Sequence, residues 1–201
     1  MSRRNTKEKI IQATLELASE NGLKSVSMQQ IADRVGIKKA SLYNHYASKE
    51  EIISAMYESI RQASKERLNI SEVNYDELAK NGSFKEVLTK AVRSYVSITA
   101  DPQMNLFYRI IINERSIDKA ASEIMVQETR TMIGSTTALF HALQDNGKAS
   151  FSDVDSAAFL FSMAIHSTID YTFDLVQCGS PLSYNHLDQV IDEFCQRYES
   201  R

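Results

Sequence analysis

Apolar residues recur at helical spacing from one end of the chain to the other. Ile10, Ala13 and Leu17, with Thr14 and Ala18 beside them, follow the i, i+3, i+4, i+7 rhythm of a helix face. This predicts a helix from about Thr6 to Asn21, ended by Gly22 in the left-handed conformation with Leu23 folding back onto it. Ser27-Met-Gln-Gln30 reads as a capping box, and Val26 with Ile31 as its hydrophobic staple. The short helix so opened buries Met28, Ile31, Ala32 and Val35 and stops at Gly36, where a positive φ permits a tight turn plugged by Ile37. A third helix is expected from about Lys38 to Tyr46. Leu42 and Tyr46 face inward; Lys38, Lys39, Ser41, Tyr43, Asn44 and His45 face outward. A second capping box, Ser48-Lys-Glu-Glu51, opens a helix through Ile52, Ile53, Met56 and Ile60 to about Leu68.

Beyond a polar segment at 69–82, with room for one short helix, the pattern stays helical. Helices are expected over 84–100, from the Asp101 cap and Pro102 onward with Ile110, Ile111 and Ile112 as its apolar heart, and over 119–144 up to Asn146-Gly147. Gly134, inside the longest of these, predicts a kink or a close helix crossing. Ser152-Asp-Val-Asp155 caps a helix reaching about Cys178, and the last helix spans about 185–198. Two prolines and six glycines leave little room for the turns of a sheet, so the expected class is all-α. The helix at 153–178 is apolar nearly all round. Val154, Ala157, Ala158, Phe161, Ile165 and Ile169 lie on one side, and Phe159, Leu160, Met163 and Ala164 on the other. Such a helix must be covered on both sides, and a second subunit is the economical cover.

Charge changes the picture. The net charge of −3 conceals nine Lys/Arg against four acids in residues 1–49, a net of +5, and a net of −8 in the remainder. A basic head on an acidic body points to an anionic partner at one end. No run of eighteen apolar residues occurs, and the charged N-terminus lacks an apolar signal core, so a cytoplasmic protein without membrane contact is expected. Cys178 and Cys195 then read as free thiols.

A short helix, a glycine turn and a second short helix with a polar, basic outer face form a helix-turn-helix, placed at about 27–46. Lysines and helix N-terminal amides hold phosphates, while Tyr, Asn, His and Ser side chains reach base edges. The order and spacing of Ile31-Ala32, Val35-Gly36, Leu42-Tyr-Asn-His-Tyr46 and Ser48-Lys49-Glu50 make the stretch similar to the N-terminal domain of the TetR family. Met28 and Ala40 depart from that pattern, where a small β-branched residue and a glycine are common, and bear on operator sequence.

The resemblance implies a three-helix DNA-binding domain at 1–48 and a helical effector-binding and dimerisation domain at 49–201. It places Lys38, Lys39, Ala40, Ser41, Tyr43, Asn44 and His45 on the recognition helix, and Ser27, Met28 and Gln29 at the start of the helix that braces the DNA backbone. Lys49 and Tyr46 would grip phosphates at the rim; for Tyr46 a core role is the alternative. The last two helices, at about 153–178 and 185–198, would pair with their symmetry mates, which sets two recognition helices about 34 Å apart on a palindromic operator. Also implied is a cavity for a small, largely apolar effector. Tyr95, Phe107, Tyr108, Met125 and Phe140 are candidate wall residues, and Arg109, His166 and Asp170 candidate polar contacts; ordinary core packing is the alternative for any one of them.

Two other readings compete. His141 with Asp145, and His166 with Asp170, are i, i+4 pairs that suit a metal only if a third ligand exists, and no nucleophile elbow or phosphate loop accompanies them. No catalytic residue, metal or cofactor is therefore expected. An architectural DNA-binding protein without an effector would carry the same head. In the regulator reading, effector entry shifts the helix beginning at Ser48 and changes the spacing of the recognition helices.

Overall fold

The computed structural model describes residues 3–68, 73–99 and 101–200, with the side chains of residues 3, 4, 64–68 and 99 outside that description. The described residues form ten α-helices: α1 (Arg3–Asn21), α2 (Met28–Val35), α3 (Lys39–Tyr43), α4 (Lys49–Leu68), α5 (Tyr75–Lys80), α6 (Phe84–Thr99), α7 (Pro102–Glu114), α8 (Lys119–Asp145), α9 (Val154–Gln177) and α10 (Asn185–Tyr198). No strand occurs among them, and the class is all-α. Residues 69–72 of the expected polar segment and Ala100 lie outside the described residues.

The chain gathers into two compact units, residues 1–69 with 99–127, and 70–98 with 128–201. The functional boundary expected after residue 48 does not coincide with this division. α4 and α7 join the head because α1 is buried on more than one side: besides Ile10, Ala13 and Leu17, Leu15 is only 1% exposed, and α1 touches α2, α4 and α7. The fully buried side chains of this first unit include Ile10, Leu15, Ile31, Leu42, Ile52 and Met56.

The second unit is centred on rings. Phe140 and Phe151 stack with centroids 4.6 Å apart, Phe161 meets Phe194 edge-on at 4.7 Å, and Tyr198 lies 5.1 Å from Phe151. Its chain end is tied back by Ser150 N–H donating to Tyr198 O at 2.8 Å and Ser200 N–H to Lys148 O at 3.1 Å.

Helix ends follow local chemistry. Asp101 accepts the amides of Gln103 and Met104 ahead of Pro102, Asp153 accepts that of Ser156, and Gly147 at φ +66° closes α8. Two glycines behave otherwise than expected. Gly22 has a positive φ of 78°, but its ψ of 148° is extended rather than left-handed helical, and Leu23, buried in the same core as Leu17 and Ala18, enters a 3-10 turn. Gly134 is exposed within α8, and a Cβ there would meet nothing within 4 Å, so no close crossing among the described residues of this chain explains it.

Candidate nucleic-acid interface

The head's second and third helices are too short to persist alone, so their ends must be fixed by specific bonds. Ser27, with extended φ and ψ of −114° and 156°, accepts the Gln30 amide on Oγ, while Gln30 Oε1 accepts the Ser27 amide at 2.8 Å, completing the capping box. Gly36 is left-handed at φ 76°, ψ 35°. Its amide donates to Asp33 O at 3.1 Å and that of Ile37 to Ala32 O at 3.0 Å, so the last carbonyls of α2 are satisfied while the chain reverses. The third helix is shorter than expected: it ends at Tyr43, and the chain tightens into a turn in which the amides of His45 and Tyr46 both donate to Leu42 O. Leu42, wholly buried, anchors it to the core. Behind it, Ser48 Oγ accepts the Glu51 amide at 3.2 Å, and the reciprocal arm of this box goes to the Ala47 amide.

This frame turns one polar face outward. Lys38, Lys39, Ala40 and Asn44 are exposed, Tyr43 is 48% exposed, and Ser41 and His45 are half-buried. Ser27 and Gln29 are exposed at the start of α2, though Gln29 donates to Asp33 Oδ1 at 2.7 Å. Met28 is a member of the core, which leaves only its backbone amide for an outside partner. Tyr46 is 5% exposed and packs in the same core; burial, then the Glu51 carboxylate, raises its pKa.

Electrostatics sort the head's cations into internal and outward ones. Arg34 is committed to Glu16 and Glu20 at 3.2 and 3.0 Å. Lys49 Nζ donates to Lys24 O at 3.2 Å, tying the start of α4 to the turn before α2. Lys7 of α1 sits with Nζ 4.9 Å from the centre of the Tyr46 ring, a cation–π contact that places it beside the end of the recognition turn. Sequence reasoning counted Lys7 in the basic head but assigned it no place. Nothing in helical spacing says which side of α1 lies next to Tyr46.

The residues expected around an effector are divided between the units. In the first, Phe107 is buried in the core, Tyr108 and Met125 are half-buried and Arg109 is exposed. An open cleft of about 430 Å³ there is lined by Asn5, Glu8, Gln12, Leu15, Ser59 and Gln103 among others, and by none of the expected effector residues. In the second, Phe140 is wholly buried in the ring cluster. His166 Nε2 stands 3.9 Å from Asp170 Oδ2, and burial, with Glu128 and Asp170 nearby, pushes the Tyr95 hydroxyl up to about 12. His141 and Asp145 are exposed, and no three metal-ligating side chains gather among the described residues.

A capped helix, a left-handed glycine turn and a second helix presenting lysines and polar side chains define a helix-turn-helix DNA-binding protein. The sequence model of the bacterial regulatory proteins of the tetR family matches residues 10–56, and that of the AefR-like transcriptional repressor C-terminal domain matches residues 86–199. The chain belongs to the TetR family of transcriptional regulators. A nucleoid occlusion factor SlmA from Yersinia enterocolitica is 31% identical over 70 residues, 34% of this chain and 35% of that protein. The chain thus spans about a third of the length of the curated relatives it matches. Among solved structures, a TetR-family regulator from Mesorhizobium loti superposes with a TM-score of 0.71 at 21% identity over 99% of both chains. A transcriptional regulator from Saccharomonospora viridis in complex with choline gives 0.70 at 16% identity over 98% of this chain and all of that one. No described helix is long and apolar enough to cross a membrane.

Proposed function

We propose that this regulator is a repressor that binds a palindromic operator as a homodimer and is released by a small, largely apolar effector. The observation that carries the DNA half is the outward face of Lys38, Lys39, Tyr43 and Asn44, exposed on a helix whose two flanks are pinned by caps. Lysines at the helix start hold phosphates, Tyr43 and Asn44 reach base edges, and the α2 amides at Met28 and Gln29 brace the backbone. The dimer reading is supported by α9. Its Val154, Ala157, Ala158, Phe161, Ile165 and Ile169 are buried, while Phe159 and Leu160 remain 49% and 57% exposed. Tyr171 and Val176 of the same helix are 53% and 40% exposed as well, and apolar side chains left uncovered along one helix suit a symmetric partner. For the effector, Tyr95, His166 and Asp170 supply the few polar groups a mostly apolar site uses to orient its guest.

The test is selection of DNA from random-sequence duplexes by the purified protein, followed by titration across a salt series. Wild type is expected to enrich a palindrome. Tyr43→Ala should lose sequence preference, Lys39→Ala should bind more weakly with a salt slope shallower by about one, and Leu160→Asp should run as a monomer that no longer prefers the palindrome. Enrichment of no sequence, or equal enrichment by Tyr43→Ala, would overturn the reading.

A further inference from the structure

Glu114 is the only charged residue among the buried residues described, 7% exposed. It ends α7, in the part of the chain that matches the AefR-like C-terminal domain, yet its carboxyl Oε1 accepts the backbone amide of Leu23 at 3.2 Å. Leu23 lies in the head, where α1 has ended and the chain turns toward α2. The same residue's backbone carbonyl accepts the amides of Ile117 at 2.9 Å and Asp118 at 2.8 Å, which shape the turn into α8. Asp118 in turn caps α8 by accepting the amides of Ala120 and Ala121. Glu114 thus holds two corners at once, the one before the helix-turn-helix through its side chain and the one before α8 through its main chain. The Tyr57 hydroxyl of α4 is buried alongside, facing Asp118 and Glu114 and without a well-formed hydrogen bond.

Burying a carboxyl group costs free energy unless its oxygens find hydrogen-bond donors. Here the bond satisfies a backbone amide that no helix or turn bond takes up, because Gly22 is extended rather than left-handed and the 3-10 turn begins at Leu23 itself. We propose that Glu114 is a positioning residue for DNA reading: it sets the α1–α2 corner, and with it α2 and α3, relative to the start of α8. Without an acceptor the corner samples several placements and only a fraction of molecules presents the recognition helix correctly, which lowers affinity by that fraction. The inference rests on the DNA-binding reading above and adds a residue outside the helix-turn-helix to it.

The test uses the full chain and the palindrome recovered by random-sequence selection. Glu114→Gln keeps an amide oxygen where Oε1 stands, and Glu114→Leu keeps the bulk without an acceptor. Glu114→Leu is expected to bind about tenfold more weakly at fixed salt with an unchanged salt slope, since no phosphate contact is removed, and Glu114→Gln to stay within about twofold of wild type. Hydrogen exchange reads the corner independently. The Leu23 amide should be protected in wild type and Glu114→Gln, and this measurement stands if Glu114→Leu does not fold. Wild-type affinity in Glu114→Leu, loss in Glu114→Gln equal to that in Glu114→Leu, or a Leu23 amide that exchanges like a free loop amide would each overturn the proposal. If wild type enriches no DNA, the DNA-binding reading fails first; if it does and the variants match it, this inference alone fails.

Discussion

In the first unit the fully buried side chains are almost all aliphatic, from Ile10 and Leu15 through Ile31 and Leu42 to Ile52, whereas the second is built around Phe84, Phe140, Phe151, Phe161 and Phe194. The lengths of the helices differ in step. Beside α1 and α4, of 19 and 20 residues, the head carries its reading face on helices of only eight and five residues, whereas the ring cluster of the second unit is built on α9, of 24 residues. Short helices gain little from their own hydrogen bonds and need their ends fixed, so the capping box, the left-handed glycine and the Ser48 cap crowd into the head. Long helices with large flat rings are held by contacts between residues far apart in sequence, such as Phe161 with Phe194. The head is specified by ends, the second unit by faces.

The largest expected effect breaks the faces. Phe140→Ala removes a wholly buried ring that stacks on Phe151 and touches Phe161 and Phe194, and should cost about 3–5 kcal/mol in denaturant unfolding. An unshifted midpoint would show that the ring cluster does not hold the unit.

Next come two identical substitutions with opposite signs. A Cβ at Gly36 or at Gly134 meets nothing within 4 Å, so only backbone conformation separates them. Gly36→Ala, at φ +76°, should destabilise by about 1–2 kcal/mol. Gly134→Ala, inside a helix, should stabilise by about 0.5–1 kcal/mol. Thermal unfolding of the two side by side decides it; shifts of the same sign would refute the distinction.

The last expected effect is one of pH. The Tyr95 hydroxyl is held neutral to about 12, mainly by burial, whereas in the unfolded chain it ionises near its ordinary value of about 10. Its contribution to stability is therefore fully present below about pH 10 and is lost as pH rises toward about 12. Tyr57 in the first unit shifts in the same direction, from burial first and Asp118 second. Tyr95→Phe should flatten, not abolish, the alkaline fall in stability measured between those limits; an unchanged slope would place the loss elsewhere.

The helix-turn-helix was legible where its determinants are close in sequence. Ser27 and Gln30 are three residues apart, and Gly36 and Ile37 close the helix they follow, so the turn and the outward set of Lys38, Lys39, Tyr43 and Asn44 could be read from the letters. Met28 and Lys7 could not. The core side of Met28 and the approach of Lys7 to Tyr46 depend on how α1 lies against its neighbours. The expected effector residues divide for the same reason: aromatic and methionine residues at helical spacing look alike whether they fill a core, as Phe107 and Phe140 do, or stand half-buried, as Tyr108 and Met125 do.

The amino-acid sequence by itself determined the helix-turn-helix, its caps, the start of α7, the ends of α8 and α9, and the apolar excess of α9. These are settled by hydrogen bonds and side-chain periodicities spanning four or five residues. Tertiary structure alone decided that α1 is buried on more than one side, that α7 belongs to the head's core, that Gly22 is extended and that Gly134 faces open space. It alone brought the carboxyl of Glu114 to the amide of Leu23, ninety-one positions away. A hydrogen bond of that span leaves no local pattern, because only the packed chain brings its two ends together.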